Sequence, residues 1–410
     1  MKNLETLINE LCPDGVEFQT MEEIFEIRNG YTPSKNNPDL WENGTIPWFR
    51  MEDIRQNGRI LSDAIQHITP AAIKGKGLFP VNSIIIATTA TIGEHALVIA
   101  DSLANQRFTN LTVRKSLTDR LLPKFVFYYM FVIDEWCKKN VNAGNFASVD
   151  MKRFKKIEFP LPPIEVQNEI VRILDKFTSL QAELEAELDC RKRQYEYYRD
   201  KLLSFENVGG QDVEWKKIGD FCDTLSGFPF ESSKFQYSGI KLMRGKNVKR
   251  GYFDFNEEDD RYWESSEGLE KYLLQDGDII ISMDGSLVGK SFAMLKEEHL
   301  PLLLVQRVAR VRAIGVNQKY LYHNISNGFS KYVDTKKTGG AIPHVSMKDI
   351  QNFEIPVPSL QEQERIANIL DRFESLTTSL TAGLPAEIAA RRQQYEHYRD
   401  KLLTFKRKSA

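Results

Sequence analysis

Two stretches of the chain carry apolar residues at spacings of three and four on a strongly charged background. This spacing places the apolar side chains on one face of a helix. A helix of about 40 residues is about 60 Å long, which exceeds what a domain of about 150 residues needs. Each stretch therefore predicts a long amphipathic helix or a pair of helices.

The two helical stretches repeat each other's sequence. "RKRQYEYYRDKLLSF" at 191–205 returns 200 residues later as "RRQQYEHYRDKLLTF", and "QNEIVRILDKFTSL" at 167–180 returns 196 residues later as "QERIANILDRFESL". The offsets differ by about one helical turn, so the apolar face continues through the insertion. Gly383 and Pro385 lie within the insertion and predict a break in the second helix there.

A segment of about the usual domain size precedes each helical stretch. Both segments begin alike ("GVEFQTMEEI" and "DVEWKKIGDF") and end alike ("VDMKRFKKIEFPLPP" and "VSMKDIQNFEIPVPS"). Short β-branched runs between Gly, Asn and Asp turns predict an α+β fold that contains sheet. The predicted organisation is a tandem repeat: domain 1 at 1–160, a helical region at 161–208, domain 2 at 209–356 and a second helical region at 357–410.

The composition is that of a globular protein and narrows the function only slightly. The chain has 410 residues, of which 41% are hydrophobic and 27% charged, and it contains no apolar run long enough for a bilayer. Its first residues are amphipathic and acidic, unlike a signal peptide, so we expect a cytoplasmic protein without a membrane partner. The four cysteines form no C-x-x-C pair, so we expect no metal site.

One segment, "DIIISMDGSLVGKS" at 278–291, suggests a phosphate-binding loop. That loop needs four residues between its glycines, whereas Gly285 and Gly289 enclose three, and Asp284 precedes them with a negative charge. The first repeat has "SIIIATTATIGE" at the same place, without Gly-Lys-Ser. We interpret the segment as a strand, a turn and a second strand. The alternative is a self-sufficient DNA-modifying or nucleotide-hydrolysing enzyme that uses the Gly285–Ser291 loop.

The paired helix motifs "Q-x-x-I-x-x-I-L-D-x-F" and "Q-Y-x-x-Y-R-D-x-L-L-x-F", each following a divergent globular unit, closely resemble the DNA specificity subunit of type I restriction-modification systems. The resemblance covers essentially the whole chain. It implies two target recognition domains, each reading one half of a bipartite site on double-stranded DNA. Because the two domains differ, we expect an asymmetric target, and the antiparallel helices would set the gap between its halves.

The resemblance also implies a non-catalytic subunit of a phage-defence system. Two modification subunits would carry the DNA methylation chemistry, and the motor and nuclease subunits for restriction would bind through them. S-adenosylmethionine, ATP and Mg²⁺ are then expected on the partner subunits only, and this chain would hold no cofactor. A coiled-coil interaction protein without DNA readout remains an alternative.

The duplication separates two kinds of candidate DNA-binding residue. Positions that are equal in both copies cannot explain why two domains read different bases, so we assign them to phosphate or scaffold roles, whereas divergent polar loops suit base readout. Gln106 and Gln306 are interpreted as structural. The candidates are Tyr31, Thr32, Ser34, Lys35, Arg50, Thr88, Thr89, Thr91 and Arg107 in the first domain, and Arg244, Lys246, Asn247, Lys249, Arg250, Asp284, Ser286, Lys290, Arg307, Lys336, Lys337 and His344 in the second.

The apolar stripe of the helices predicts helix–helix packing, with packing of each helix on its own domain as the alternative. The tyrosines of the stripe belong to this packing rather than to base stacking. The outer helix faces are assigned to the modification subunits, as the resemblance implies. The packing candidates are Ile170, Leu174, Phe177, Leu184, Leu188, Tyr195, Leu202, Ile366, Leu370, Phe373, Leu384, Ile388, Tyr395 and Leu402.

Overall fold

A computed structural model describes residues 4–142, 147–205, 213–336, 344–378 and 383–408. The chain divides into two compact units, which are described separately: unit 1 consists of Met1–Leu184 with Ile388–Ala410, and unit 2 of Glu185–Glu387.

The globular part of unit 1 is a mixed α+β domain. Its helices are α1 (Leu4–Leu11), α2 (Met21–Ile24), α3 (Met51–Asn57), α4 (Pro123–Lys139) and α5 (Met151–Phe154). Its strands are β1 (Glu17–Thr20), β2 (Phe25–Asn29), β3 (Ile46–Phe49), β4 (Ile60–Leu61), β5 (His67–Ile68), β6 (Ser83–Ala87), β7 (His95–Val98), β8 (Leu103–Ala104), β9 (Phe108–Val113), β10 (Val141–Asn142), β11 (Ser148–Val149) and β12 (Glu158–Leu161).

Two sheets and two short ribbons organise this domain. The larger sheet has the order β2-β9-β6-β7-β4, the smaller one the order β5-β3-β8, and β1-β12 and β10-β11 form the ribbons. Strand β6 is buried along its whole length because the sheet is covered on both faces. One face packs with α4 in a core that contains Phe125 and Phe159, and the other packs in a core around Trp48 and Phe79.

A long helix, α6 (Ile164–Ser204), runs without interruption from unit 1 into unit 2. The other helices of unit 2 are α7 (Ile218–Phe221), α8 (Gln318–Asn324), α9 (Ser330–Lys336), α10 (Met347–Gln351) and α11 (Leu360–Thr378), and α12 (Leu384–Leu402) begins there and continues into unit 1. The strands of unit 2 are β13 (Glu214–Lys217), β14 (Cys222–Ser226), β15 (Ile240–Met243), β16 (Tyr262–Trp263), β17 (Ile279–Ser282), β18 (Phe292–Met294), β19 (Leu302–Leu304), β20 (Val308–Ala313) and β21 (Glu354–Val357).

The strand pairings of unit 2 reproduce those of unit 1. The order β14-β20-β17-β18 corresponds to β2-β9-β6-β7, the order β16-β15-β19 to β5-β3-β8, and the ribbon β13-β21 to β1-β12. In both units the central residues of the repeat pair in the same register: Ile84 faces Leu111, and Ile279 faces Val311. The predicted tandem α+β repeat is therefore confirmed at the level of individual strand pairs.

A glycine in each unit lets a loop approach a neighbouring strand. A Cβ atom on Gly30 would lie 2.3 Å from the carbonyl oxygen of Ala104, and one on Gly227 would lie 2.2 Å from that of Val305. Because no side chain fits at these distances, both positions require glycine. The contact fixes the start of the loop that begins with Tyr31 in unit 1.

The two helical regions differ from each other in continuity. Helix α11 ends at Thr378 and α12 begins at Leu384, with Pro385 in its first turn, where proline is tolerated. Residues 379–382, which include part of the predicted stripe, lie outside the described residues. The predicted break near Gly383 is thus present, whereas α6 is continuous.

The first turns of these helices pack on a globular domain, which is the alternative that the sequence left open. Ile170 and Leu174 are fully buried in the core of unit 1, and Ile366 and Leu370 are buried in the core of unit 2. These four residues, which the sequence assigns to helix–helix packing, therefore belong to the cores of the domains. Their burial places the first turns of each helix against its own domain.

Farther along, the helices contact a helix from the other repeat. In unit 1 the Phe177 ring stacks on Tyr398, with 5.6 Å between the ring centroids, and lies 6.4 Å from Tyr395. In unit 2 the Phe373 ring stacks on Tyr198 at 6.0 Å and lies 6.5 Å from Tyr195. Each compact unit is therefore completed by the final helical segment of the other repeat.

The remaining stripe residues divide into two groups. Leu202 and Leu402 pack against the cores of unit 2 and unit 1, next to the buried Leu203 and Leu403. The partly exposed positions of the stripe are Leu184, Leu188, Leu384 and Ile388.

Candidate functional site

In unit 2 the loops that follow three strand ends surround one surface groove of about 680 Å³. The loop after β15 contributes Arg244, Lys246 and Lys249, the loop after β17 contributes Asp284 and Ser286, and the turn before β20 contributes Arg307. These six candidates are distant in sequence, and the fold brings them together. The groove thus carries four positive side chains and one carboxylate.

Asp284 lies at the centre of an ion-pair network at this groove. Its Oδ2 atom is 3.0 Å from the Arg307 guanidinium, and its Oδ1 atom pairs with Nδ1 of His344. The Arg307 side chain remains 72% exposed, so the carboxylate orients this guanidinium while leaving it accessible. Asp284 is thereby a partner of two other candidates as well as a candidate itself.

Arg244 occupies a supported position at the groove. Its backbone N–H donates to the Asn247 side chain at 3.2 Å, its guanidinium donates to the Asp259 carbonyl at 3.3 Å, and the charge lies 5.8 Å from the Phe235 ring. Lys246 forms an ion pair with Asp259 at 2.9 Å. These contacts hold both cations without burying them.

Asn247 lies in the protein interior, unlike the loop residues around it. It is 3% exposed, its Oδ1 atom caps the short turn that begins at Arg244, and its amide donates to the Asp254 carbonyl at 3.0 Å. Asp53 holds the matching position in unit 1, where its carboxylate accepts from the Arg50 and Ile65 backbone N–H groups. Its burial and saturated hydrogen bonds give Asn247 a structural role rather than a direct contact with a base.

The first domain places its shared candidate, Arg50, as the second domain places Arg244. The Arg50 guanidinium lies 5.9 Å from the Trp48 ring, and its buried Nε atom has no hydrogen-bond partner among the described residues. Thr32 donates a hydrogen bond of 2.5 Å to Oε1 of Gln106, so this glutamine supports the loop, as the sequence predicts. Arg107 and the loop residues Ser34 and Lys35 are exposed.

In the first domain, Tyr31 and Thr88 use their hydroxyl groups for hydrogen bonds within the fold. The Tyr31 hydroxyl donates to the Ala72 carbonyl at 3.0 Å and accepts from the Lys74 N–H at 2.8 Å. Thr88 is buried, and its hydroxyl shares a hydrogen bond of 3.0 Å with Thr109. Thr89 forms a backbone bridge with Ser148, at the place where Asp284 bridges His344 in unit 2. Thr91 is partly exposed.

The structure does not bring the remaining second-domain candidates to the groove. Lys290 is exposed on the turn between β17 and β18, Arg250 lines a different cavity next to α6, and Lys336 ends α9 with its charge 5.7 Å from the Tyr332 ring. Lys337 lies outside the described residues.

The Gly-Lys-Ser segment is a hairpin connection. Strands β17 and β18 pair in antiparallel fashion on either side of it, and Gly285 and Gly289 adopt positive φ angles of 109° and 79°. A phosphate-binding loop leads from a strand into a helix whose N-terminal N–H groups face the phosphate. Here a strand follows, so the predicted strand, turn and strand are confirmed.

Sequence reasoning missed a cluster of three metal-ligating side chains in unit 2. One ligand atom from each of His323, Asp371 and Glu374 lies within 4.8 Å of the other two. His323 is on α8 and the two acids are on α11. A comparison of the two repeats could have identified the cluster. The first copy has Tyr128 and Thr178 at the positions of His323 and Glu374, so the histidine and the glutamate are particular to the second copy.

None of the described helices combines the length and apolar character needed to cross a membrane. A family model of the type I restriction modification DNA specificity domain matches residues 13–189 and, a second time, residues 210–390. The chain belongs to this type I specificity family. Both matches end inside the helical stretches, so the repeat unit of the family contains a globular domain and the helix after it.

Proteins with the same family description are similar over most of this chain. The EcoprrI specificity subunit of Escherichia coli is 39% identical over 395 residues, which cover 91% of each chain. The EcoR124I/EcoR124II specificity subunit of Escherichia coli is 37% identical over 306 residues, or 70% of this chain and 72% of that one.

Solved structures from type I systems share the fold. A chain from a study of complex assembly and conformational transition in a type I system matches with a TM-score of 0.61 at 17% identity and covers 95% of this chain and 97% of that one. The HsdS subunit of Thermoanaerobacter tengcongensis matches with a TM-score of 0.53 at 16% identity, with 96% of both chains covered.

Proposed function

We propose that this chain is the non-catalytic, sequence-reading subunit of a type I restriction-modification complex. Each globular domain would read one half of an asymmetric bipartite site on double-stranded DNA in the cytoplasm. The observation that carries the proposal is the groove of unit 2, where loops distant in sequence converge with four positive side chains. A DNA phosphate backbone attracts such a surface, and mixed short polar side chains suit the edges of bases.

A comparison of the two repeats suggests which candidates contact phosphate and which contact bases. Arg50 and Arg244 begin equivalent turns, and each guanidinium lies over an aromatic ring at about the same distance. A cation that begins an equivalent turn in both domains suits phosphate positioning, which carries no sequence information. Asp284 and Ser286 have no identical counterpart in the first copy and suit base discrimination.

The helices would set the unread gap and dock the modification subunits. Their exposed faces carry large aromatic groups, such as Tyr197, which is 60% exposed. Tyrosines that protrude from a charged helix face are common anchors of protein interfaces. Two modification subunits would supply methylation, with the restriction subunits bound through them, and S-adenosylmethionine, ATP and Mg²⁺ would bind to these partners.

Domain exchange tests the proposal directly. Residues 15–160 are replaced by the matching segment of another family member, and the chimera is produced with its modification subunits. Single-molecule methylation mapping of cellular DNA should then show one altered half-site and one unchanged half-site, because only one reading domain has been replaced.

Lys290→Ala in the unaltered chain tests the interpretation of the Gly285–Ser291 segment as a turn without a catalytic role. It should leave the methylated motif unchanged, since this lysine lies outside the groove. A chimera that changes both halves of the motif, or ATP hydrolysis by the purified chain that Lys290→Ala abolishes, would contradict the proposed function.

A further inference from the structure

The cluster of His323, Asp371 and Glu374 joins two elements of unit 2. His323 lies on α8, in the globular domain, and its Nε2 atom is 2.8 Å from Oδ1 of Asp371 on α11. Lys319, one turn earlier on α8, contacts the other oxygen of the same carboxylate at 2.7 Å. Glu374 follows Asp371 by three residues, so both acids project from the same face of α11.

The first repeat provides an internal comparison for this cluster. Lys124 contacts Oδ2 of Asp175 at 2.6 Å, as Lys319 contacts Asp371, and the Tyr128 hydroxyl donates to Oδ1 of Asp175 at 2.7 Å. Thr178 stands where the second copy has a glutamate. The lysine–aspartate pair is therefore common scaffold, whereas the histidine and the glutamate are particular to unit 2.

Two residues of the cluster have polar atoms without a hydrogen-bond partner among the described residues. His323 is completely buried, and its Nδ1 atom has no hydrogen-bond partner among the described residues. The Glu374 carboxylate likewise makes no hydrogen bond or ion pair within the described part of the chain. Burial raises the pKa of the Glu374 carboxyl against the opposing effect of His323, and the Asp371 charge raises it further. Lys296 lowers this pKa, as His323 does, and a cation bound directly to the carboxylate would favour its charged form further.

Glu374 lines a cavity of about 320 Å³ together with Tyr195 and Tyr322. The basic residues Lys192, Arg199 and Arg250 also line this cavity, and Arg199 is paired with Asp200 at 2.9 Å. The cavity therefore opens the Glu374 side of the cluster to an ion.

We infer that His323, Asp371 and Glu374 bind one divalent transition-metal ion. One imidazole and two carboxylates form a ligand set that suits Zn²⁺, with water completing a tetrahedron, and Mn²⁺ or Fe²⁺ accept similar ligands. The two carboxylates exceed the single Lys319 charge by one, so the cluster itself carries a negative charge that attracts a cation. The bound ion links α8 to α11 and fixes the direction in which the helix leaves the second domain.

Zn²⁺ binding to the purified full-length chain tests this site. Equilibrium dialysis against buffered Zn²⁺, with metal analysis of the protein, should give one high-affinity ion per chain in a Cys190→Ser background, which removes an exposed thiol. Zn²⁺ should also raise the midpoint of thermal unfolding, because the ion binds only the folded arrangement.

The repeat supplies matched variants. His323→Tyr with Glu374→Thr installs the first-copy pair and preserves a hydrogen bond to Asp371; it should abolish both the bound ion and the Zn²⁺-dependent thermal shift. Tyr128→His with Thr178→Glu installs the cluster in unit 1 and should raise the stoichiometry from one ion to two.

The inference is overturned if the unaltered chain binds no ion, or if the first pair of substitutions leaves stoichiometry and thermal shift unchanged. If the Tyr128→His, Thr178→Glu variant does not fold, the first pair decides alone, because it replaces residues with side chains that already occupy this place in the repeat. None of these readouts depends on DNA binding, so failure here leaves the proposed function untouched.

Discussion

Asp284 illustrates how position in the fold decides the role of a side chain. From the sequence it is a polar residue in a divergent loop, and this identifies it as a candidate without specifying its contacts. The structure pairs it with Arg307 and His344, which are separated from it by 23 and 60 residues. Asn247 was nominated on the same grounds, yet it is buried, because a short turn uses its side chain as a cap. Polar composition and divergence between the repeats identify a loop as a candidate for DNA contact. Only the hydrogen bonds in the folded protein show which side chains of that loop stay exposed.

We predict that Asp284→Asn reduces the discrimination between DNA sequences. Loss of the charge releases the Arg307 guanidinium and removes a repulsion toward phosphate. Non-specific DNA affinity should therefore rise a few-fold while discrimination at one half-site falls by about tenfold, in line with about 1–3 kcal/mol for a good base contact. Competition binding of the complex with its modification subunits, at fixed salt, measures both quantities.

Asp276→Asn is the matched control, since it makes the same charge change at an exposed position outside the groove. If the two substitutions change DNA affinity and discrimination equally, only the net charge matters, and Asp284 does not contribute to the recognition of bases.

Among the elements, the junction between each domain and its helix is specified by a single glutamine. Gln167 accepts a hydrogen bond from the Leu122 N–H at 2.9 Å and donates to the Arg120 and Pro162 carbonyls at 2.7 Å each. Gln363 repeats this with the Asn317 N–H at 2.8 Å and the Pro358 carbonyl at 2.8 Å. The motif "Q-x-x-I-x-x-I-L-D-x-F" contains the glutamine, but its partners at Leu122, Arg120 and Asn317 lie 45 to 47 residues away and cannot be identified from the motif. The apolar stripe was similarly visible, whereas the choice between domain and helix as its partner was not.

We predict that Gln167→Leu destabilises the protein by roughly 2–4 kcal/mol, because it leaves one N–H and two carbonyl groups buried without partners. Thermal unfolding should show a midpoint lower by several degrees for the transition that belongs to unit 1. Gln363→Leu should lower the transition of unit 2 instead.

Gln393→Ala, at an exposed position of α12, is the control and should leave both transitions in place. If Gln167→Leu behaves like this control, the glutamine does not fix the helix to the domain.

For the whole molecule, the sequence predicts both the tandem repeat and the antiparallel packing of the helix of one repeat on the helix of the other. The sequence does not reveal which residues of the stripe meet in that packing, because the contacts depend on where each helix leaves its domain. The structure resolves this: Phe177 meets Tyr395 in unit 1, and Tyr195 meets Phe373 in unit 2. Burial raises the pKa of the Tyr195 hydroxyl to about 12, which agrees with its predicted packing role.

A deletion of the four residues 181–184 in α6 tests whether the helices set the gap between the two half-sites. It shortens the helix by about 6 Å and keeps the apolar stripe on one face. We expect the methylated motif to keep both half-sites and to change the number of bases between them. A two-residue deletion turns the stripe by about 200° and should abolish methylation. Methylation at an unchanged gap after the four-residue deletion would contradict the spacer role.

The exchanged helices also impose an order on folding during synthesis. The core of unit 1 contains Leu403, and Val16 pairs through its backbone with Lys406 and Lys408, so this core stays incomplete until residues 388–408 emerge from the ribosome. Residues 185–387 must be translated in the interval, which takes roughly 10–40 s at about 5–20 residues per second. The domain that is made first is therefore the last to close, and its apolar face stays exposed to solvent for that interval.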